Sequence, residues 1–252
     1  MLRFLALIAT FVALALPLRA EQIVLGLSRD EVAITATFNG SEILIFGAIK
    51  TDSRQSPEGE LGVIVTVSGP EEAVTVRRKD RRLGIWVNTE SVKIDVAPSF
   101  YAVATNRPLD EILLDSEDVN TRVSMKRAIR SIGPSSTGSL NFAEALIRIR
   151  EGKGLYQTLP EGVSVQDETL FRTLIELPAN LTEGDYTAEI YLTRDGKIVD
   201  VYSTDIPVKK VGLERWLYNL AHENALLYGL MSLAIAIASG WGASAIFTAF
   251  RR

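Results

Sequence analysis

A chain of 252 residues with a formal net charge of -4, no cysteine and one histidine, His222, excludes several chemistries at once. Without thiols there are no disulfides, no thiol catalysis and no Cys-ligated zinc or iron–sulfur centre. An acidic chain is a poor nucleic-acid binder, a lone histidine cannot build a His-cluster metal site, and any Ser-His-Asp triad would have to be assembled on His222.

Residues 1–20 open with Arg3 and an apolar stretch from Phe4 to Leu16, closed by Pro17-Leu18-Arg19-Ala20. The stretch is too short to span a bilayer comfortably, so it reads as a secretory signal cleaved after Ala20. Loss of Arg3 and Arg19 takes the charge from -4 to -6, and to -8 for the outer portion if Arg251 and Arg252 face the cytoplasm. A cysteine-free exported domain of about 200 residues fits a bacterial periplasm and is large enough to bury a core.

From Ile23 to Val96 short apolar runs alternate with turn residues. IVLGL is followed by VAITATF, in which Val32, Ile34, Ala36 and Phe38 point one way, the period-two signature of a strand. Asn39-Gly40 readily takes the positive φ angles of a tight hairpin, so ILIFGAI is expected to pair back on VAITATF. After the polar loop TDSRQSPEGE, the runs LGVIVTVSG, AVTVRR, LGIWVN and SVKIDV supply four further strands at spacings typical of a sandwich. The expected fold class is therefore mainly β, an immunoglobulin-like β-sandwich over 21–105, with a helical insertion, further strands and one C-terminal transmembrane helix.

A helical segment is expected over 106–155. Pro108, Leu109, Ile112 and Leu113, then Val119, Val123, Arg127 and Arg130, predict one or two short helices, and Phe142 to Arg150 another; Gly133 to Gly138 breaks the pattern between them. Strands resume near Val163 within a second β segment, 156–211. TLFRTLIELP is followed by DYTAEIYLT and KIVDVYSTDIPVKK, with Arg194-Asp195-Gly196 as the turn between the last two, and Tyr186, Ala188, Ile190 and Leu192 mark the buried face. These strands are too few to close a sandwich alone; they either complete the first one or form a small second lobe.

Residues 212–224, with Leu213, Trp216, Leu217 and Leu220 at helical spacing, predict a juxtamembrane helix on the lipid surface. The uncharged run 225–250 is long enough to cross a hydrocarbon core roughly 30 Å thick. Arg251 and Arg252 form the 251–252 tail and favour the cytoplasmic side, which places the upstream chain outside. Trp241, Phe247 and Phe250 suit an interfacial belt near the arginines, and Trp216 and Tyr218 one on the other side. Ser232, Ala236, Gly240 and Ser244 recur every fourth residue and line one face against which a second helix could pack.

No catalytic, cofactor-binding or metal-binding residues are assigned. GxSxG, the phosphate loop, GxGxxG and a Ser-x-x-Lys signature are all missing. Asp115, Glu117 and Asp118 lack the spacing of a calcium loop and suit the acidic start of a helix, where negative charge is favoured. His222, next to the membrane, reads as an interfacial side chain. The densest charge is Arg77-Arg78-Lys79-Asp80-Arg81-Arg82, a hairpin tip running into Leu83-Gly84-Ile85-Trp86. Arg77, Arg78, Lys79, Arg81, Arg82 and Trp86 are the partner-binding candidates, able to hold an anion, a lipid headgroup or an acidic partner. The plainer reading is a charged turn that keeps strand edges from pairing, with Trp86, Phe100 and Tyr101 filling a core.

Arg81-Arg82-Leu83-Gly84-Ile85-Trp86-Val87-Asn88, Pro98-Ser99-Phe100-Tyr101-Ala102-Val103-Ala104 and Arg107-Pro108-Leu109 together resemble the putative transmembrane protein family of alphaproteobacteria. The resemblance extends over most of the chain. It implies a single-pass envelope protein of the inner membrane, with its N-terminal domain in the periplasm, and its context suggests association with a permease of the sulfite-exporter type. The family carries no activity that could be assigned to individual residues. The function expected is that of a non-enzymatic accessory or scaffolding protein of an inner-membrane complex, without a cofactor, whose partners are the lipid bilayer and another integral membrane protein. A periplasmic binding or envelope-assembly module for a peptide or polysaccharide is the alternative, and a carboxylate-based hydrolase a third.

Overall fold

The computed structural model describes residues 21–28, 31–34, 38–51, 59–130, 137–211 and 213–250. The expected signal and the two terminal arginines lie outside them.

The chain is mainly β. Strands β1 (Glu21–Leu27), β2 (Val32–Ile34), β3 (Ser41–Thr51), β4 (Leu61–Ser68), β5 (Glu71–Arg82), β6 (Ile85–Pro98) and β7 (Tyr101–Thr105) come first. Short helices α1 (Leu109–Ile112), α2 (Asp115–Thr121) and α3 (Met125–Ala128) lead to the longer α4 (Thr137–Glu151). Strands β8 (Tyr156–Leu159), β9 (Val163–Gln166), β10 (Leu170–Leu177), β11 (Gly184–Arg194) and β12 (Lys197–Lys210) follow, and helices α5 (Leu213–Glu223) and α6 (Ala225–Phe250) end the chain.

Among the described residues the strands form a four-stranded sheet in the order β1-β3-β10-β9, a six-stranded sheet β2-β12-β11-β4-β7-β8, and a two-stranded sheet of β5 with β6. Because β10 pairs with β3 and β11 with β4, the late strands join sheets begun by the early ones. The immunoglobulin-like arrangement is not confirmed: β7 and β8 run parallel, whereas the immunoglobulin sheets are antiparallel. Several local expectations also change. Asn39-Gly40 does not close a hairpin between VAITATF and ILIFGAI; β3 pairs with β1, and β2 lies beside β12 in the other sheet. The bend itself is real, since Gly40 sits at φ +111° and a Cβ there would meet the Leu177 carbonyl oxygen at 2.9 Å, so the chain turns from one sheet into the other. IWVN of LGIWVN and all of SVKIDV, expected as separate strands, lie in one strand, β6, and Leu83-Gly84 form the turn before it. The closing hairpin is as read: β11 and β12 pair in antiparallel register, and Asp195 and Gly196 at φ 49° and 79° make the two-residue turn.

One hydrophobic core cluster draws Ile64, Tyr101, Val103 and Tyr191 from the six-stranded sheet, Val76, Ile94 and Ala97 from the base of β5 and β6, and Val123, Met125, Phe142 and Leu146 from the helical segment. Val63, Val65 and Val67 alternate with Ile64 along β4 and are also fully buried, so that strand is covered on both faces. The helical insertion thus lies over one face of the sheet and clamps the base of the β5–β6 hairpin against it.

The chain divides into two compact units, residues 1–32 with 39–208, and residues 33–38 with 209–252. In the second, Asn224 separates α5 from α6, and the stretch Ala225–Thr248 is long and apolar enough to cross a membrane with none of it buried by protein. A soluble core helix of that composition would be covered. A bare one needs lipid.

Candidate functional site

Strands β5 and β6 form a long antiparallel hairpin running from Glu71 opposite Pro98 to Arg82 opposite Ile85. Only its base is in the core. Beyond Val76 no residue of β5 is buried, and in β6 burial begins at Ile94. At about 3.4 Å per residue the arm stands roughly 20 Å clear of its last buried side chain.

An isolated two-stranded ribbon is marginal in water, so the base has to be fixed. Arg150, at the end of α4, does this. Phe142, Leu146 and Arg150 recur every fourth residue on the buried face of that helix, and Arg150 is only 6 % exposed. Its guanidinium donates to Glu72 of β5, to the Pro98 carbonyl of β6 and, at 3.1 Å, to the Tyr156 hydroxyl of β8. Tyr156 itself donates to the Pro98 carbonyl at 2.8 Å, and its ring centroid lies 5.2 Å from the Arg150 guanidinium carbon. Burial pushes the Tyr156 phenol up to about 12, offset in part by the nearby Arg150 charge. A second tie is the bridge between Val96 and Arg130, whose guanidinium also donates to Glu71 at 3.1 Å.

At the far end, Leu83 and Gly84 occupy the two-residue turn at φ 50° and 88°. Both values are positive, as a hairpin turn of this length prefers. Gly84 takes the angle freely, but an L residue with a bulky side chain does so at a cost of roughly 1–2 kcal/mol. Leu83 nevertheless sits there, 104 % exposed, with Ile85 at 64 % and Trp86 at 68 %. Around them Arg77, Arg78, Lys79, Arg81 and Arg82 are all exposed. Arg78 lies 3.6 Å from Glu90 across the ribbon, Arg81 donates through Nε to the Gly84 carbonyl at 3.4 Å, and the Asp80 carboxylate accepts the Arg81 backbone N–H at 2.8 Å. The structure brings all six partner-binding candidates onto one protruding element. It corrects the expectation that Trp86 fills a core, because β6 leaves the core before reaching it. Phe100 and Tyr101 are buried, and Tyr101 donates to the Val123 carbonyl at 2.8 Å.

The remaining sequence candidates are dispersed. Asp118 accepts from the Ser124 N–H at 2.7 Å and from Arg127 at 3.2 Å, and Asp115 from Arg127 at 2.9 Å, so one guanidinium binds both carboxylates. Among the described residues no group of three or more His, Asp or Glu side chains is arranged to hold a metal. His222 bonds through Nδ1 to the Tyr218 carbonyl at 2.9 Å and stacks on its ring at 4.0 Å, which keeps it on its own helix. Ser232, Ala236, Gly240 and Ser244 are exposed along α6; Ser232 Oγ donates to the Tyr228 carbonyl at 2.8 Å, and nothing lies within 4 Å of a Cβ built on Gly240.

Two features escaped the sequence reading. Arg150 was legible only as a charge falling on an apolar helix stripe. The second is the outer face of the four-stranded sheet, where Val24, Leu44, Phe46, Leu170 and Leu174 are exposed and a pocket of about 310 Å³ is lined by Phe46, Gln166, Leu170 and Arg172. Alternation does not say which of two apolar faces in ILIFGAI is covered.

A family model described as Putative transmembrane protein (Alph_Pro_TM) matches residues 22–249. A comparison with curated proteins finds no match.

Proposed function

The chain belongs to the Putative transmembrane protein (Alph_Pro_TM) family and, among the described residues, carries one apolar helix able to anchor it in a membrane, and from that premise we propose that it is a non-enzymatic accessory or scaffolding subunit of an inner-membrane complex. On this reading α6 crosses the inner membrane once, Arg251 and Arg252 stay in the cytoplasm, and the β unit stands in the periplasm. The observation that carries it is the pairing of an apolar helix, long enough to cross a membrane and uncovered by protein over its most apolar window, with a β unit whose most developed surface is a protruding arm. A protrusion suits contact with a neighbour, whereas catalysis favours a concave, water-excluding site.

The subunit meets its neighbours at the small-residue face of α6 and at the arm. Small residues let helix backbones approach in lipid, where packing drives association. A permease of the sulfite-exporter type is the integral membrane partner this reading favours. Crosslinking in native membranes followed by mass spectrometry tests it. The account expects crosslinks to one integral membrane protein, retained in wild type and lost in Gly240→Leu, which fills the helix face without touching the β unit. Crosslinks that are absent, or unchanged in Gly240→Leu, contradict it.

The exposed apolar face around Phe46 favours a second reading, a binding module that takes up an extended peptide on the four-stranded sheet. That module would retain peptide binding as a fragment of residues 21–212 freed from the membrane, and an accessory subunit would not function so.

A further inference from the structure

We infer that the tip of the β5–β6 arm docks into the anionic lipid surface of the membrane in which α6 is anchored. The inference deepens the reading above by naming the neighbour the arm meets, and it rests on the anchorage.

The first observation is Leu83. Asn, Asp or Gly suits its turn position, and its side chain packs against nothing. Neither folding nor solubility accounts for it, whereas an apolar medium outside the protein does. The second is how the apolar side chains are disposed. Ile85 and Trp86 are consecutive in a strand and so project from opposite faces of the ribbon, and Leu83 caps the end between them. A protein groove would read one face, but lipid solvates both faces and the end together.

The third is the charge behind them. Directly opposite neighbours share a face, so Arg82 lies on the side of Ile85, and Arg81 on the side of Trp86. Arg77, Arg78 and Lys79 follow further down, giving five cations against Asp80 in that run of strand. Asp80 is turned to its neighbour's backbone, and among the described residues Arg77, Lys79 and Arg82 make no ion pair. Apolar residues at the very end, an indole next to them and a collar of basic side chains match the layering of an anionic membrane interface, with acyl chains below, headgroups at the level of Trp86, and phosphates beside the guanidinium groups. The attraction of the collar to an acidic surface is local and screened by salt. Docking is efficient because α6 already holds the chain at that membrane, which makes the second contact intramolecular.

The full chain carries three tryptophans, and changing Trp216 and Trp241 to Phe leaves Trp86 as the sole reporter. That protein, reconstituted into phosphatidylcholine vesicles with or without phosphatidylglycerol and with acyl-brominated lipid as quencher, tests the inference. The expected result is a blue-shifted, quenched Trp86 in the phosphatidylglycerol vesicles only, reversed by high salt. Arg78→Glu with Arg82→Glu should lower the docking equilibrium constant by roughly 25-fold, at about fivefold for each basic side chain withdrawn. Leu83→Asn guards against a folding artefact, since Asn fits the turn better than Leu; it too should reduce quenching. Trp86 that stays water-exposed in anionic vesicles, quenching that is equal in neutral ones, or quenching only by brominated vesicles added from outside overturns the inference. Retention of the chain after carbonate washing, with Trp86 unquenched, refutes the docking alone. Release by carbonate refutes the anchorage as well.

Discussion

Arg150 is a buried cation held by one partly exposed carboxylate, one carbonyl and one phenol, and its removal would strand the groups that meet it. Arg150→Met keeps much of the apolar stem but leaves Glu72 without its donor and the Pro98 carbonyl with Tyr156 alone. The expected loss is about 1–2 kcal/mol, since a buried charge-assisted hydrogen bond is lost while the Pro98 carbonyl keeps its bond from Tyr156 and Glu72 can recover water. Urea unfolding of the solubilised full chain, followed by circular dichroism, measures it. Tyr156 gives the pH dependence. Its folded-state pKa is raised from the ordinary 10.0 to about 12, so the native state holds its proton where the unfolded chain has released it. The associated stability is complete below pH 10 and is lost as pH rises toward 12; the buried phenols of Tyr101 and Tyr191, also shifted upward by desolvation, add to the same trend. Tyr156→Phe is expected to flatten the alkaline fall in urea midpoint between pH 10 and 12, and an unchanged slope would show that Tyr156 is not in the environment described.

At the scale of elements, legibility followed locality. The β11–β12 hairpin was readable because alternation and a turn that supplies two positive φ angles agree, and α6 because a long run without charge has few alternatives. Asn39-Gly40 misled because a hairpin signal describes the bend and is silent about which sheet receives the next strand. The β6 strand read as two because it is bulged near Thr89, where the register with β5 shifts between Arg78 and Lys79, and because a ribbon exposed on both faces shows no apolar period. The parallel pairing of β7 with β8 joins strands separated by the whole helical insertion, a contact no local pattern encodes. The basic tip was legible as composition, but its projection was not, since exposure of Trp86 depends on where the core ends. Leu83 ties the arm to a prediction: Leu83→Asn should relieve a strained turn and slow amide exchange at Asp80 and Val87 by a few-fold, for a gain of about 1 kcal/mol. Faster exchange would mean that Leu83 holds the ribbon together.

Over the whole molecule, the arrangement is a β unit with its helical insertion packed on one sheet, a fixed-base arm leaving that packing, and an apolar helix that requires a bilayer. Composition excluded thiol and His-cluster chemistry before any fold was known, and the family match with the unburied helix makes the chain a membrane-anchored protein. Which side of the membrane the β unit occupies is the claim on which the periplasmic accessory role depends. Because the chain has no cysteine, single cysteines report topology without a background. Labelling intact cells with a membrane-impermeant maleimide should modify Ser91→Cys on the exposed arm, and should modify Arg252→Cys only after the inner membrane is permeabilised. Labelling of Arg252→Cys in intact cells, with Ser91→Cys protected until permeabilisation, would contradict the account.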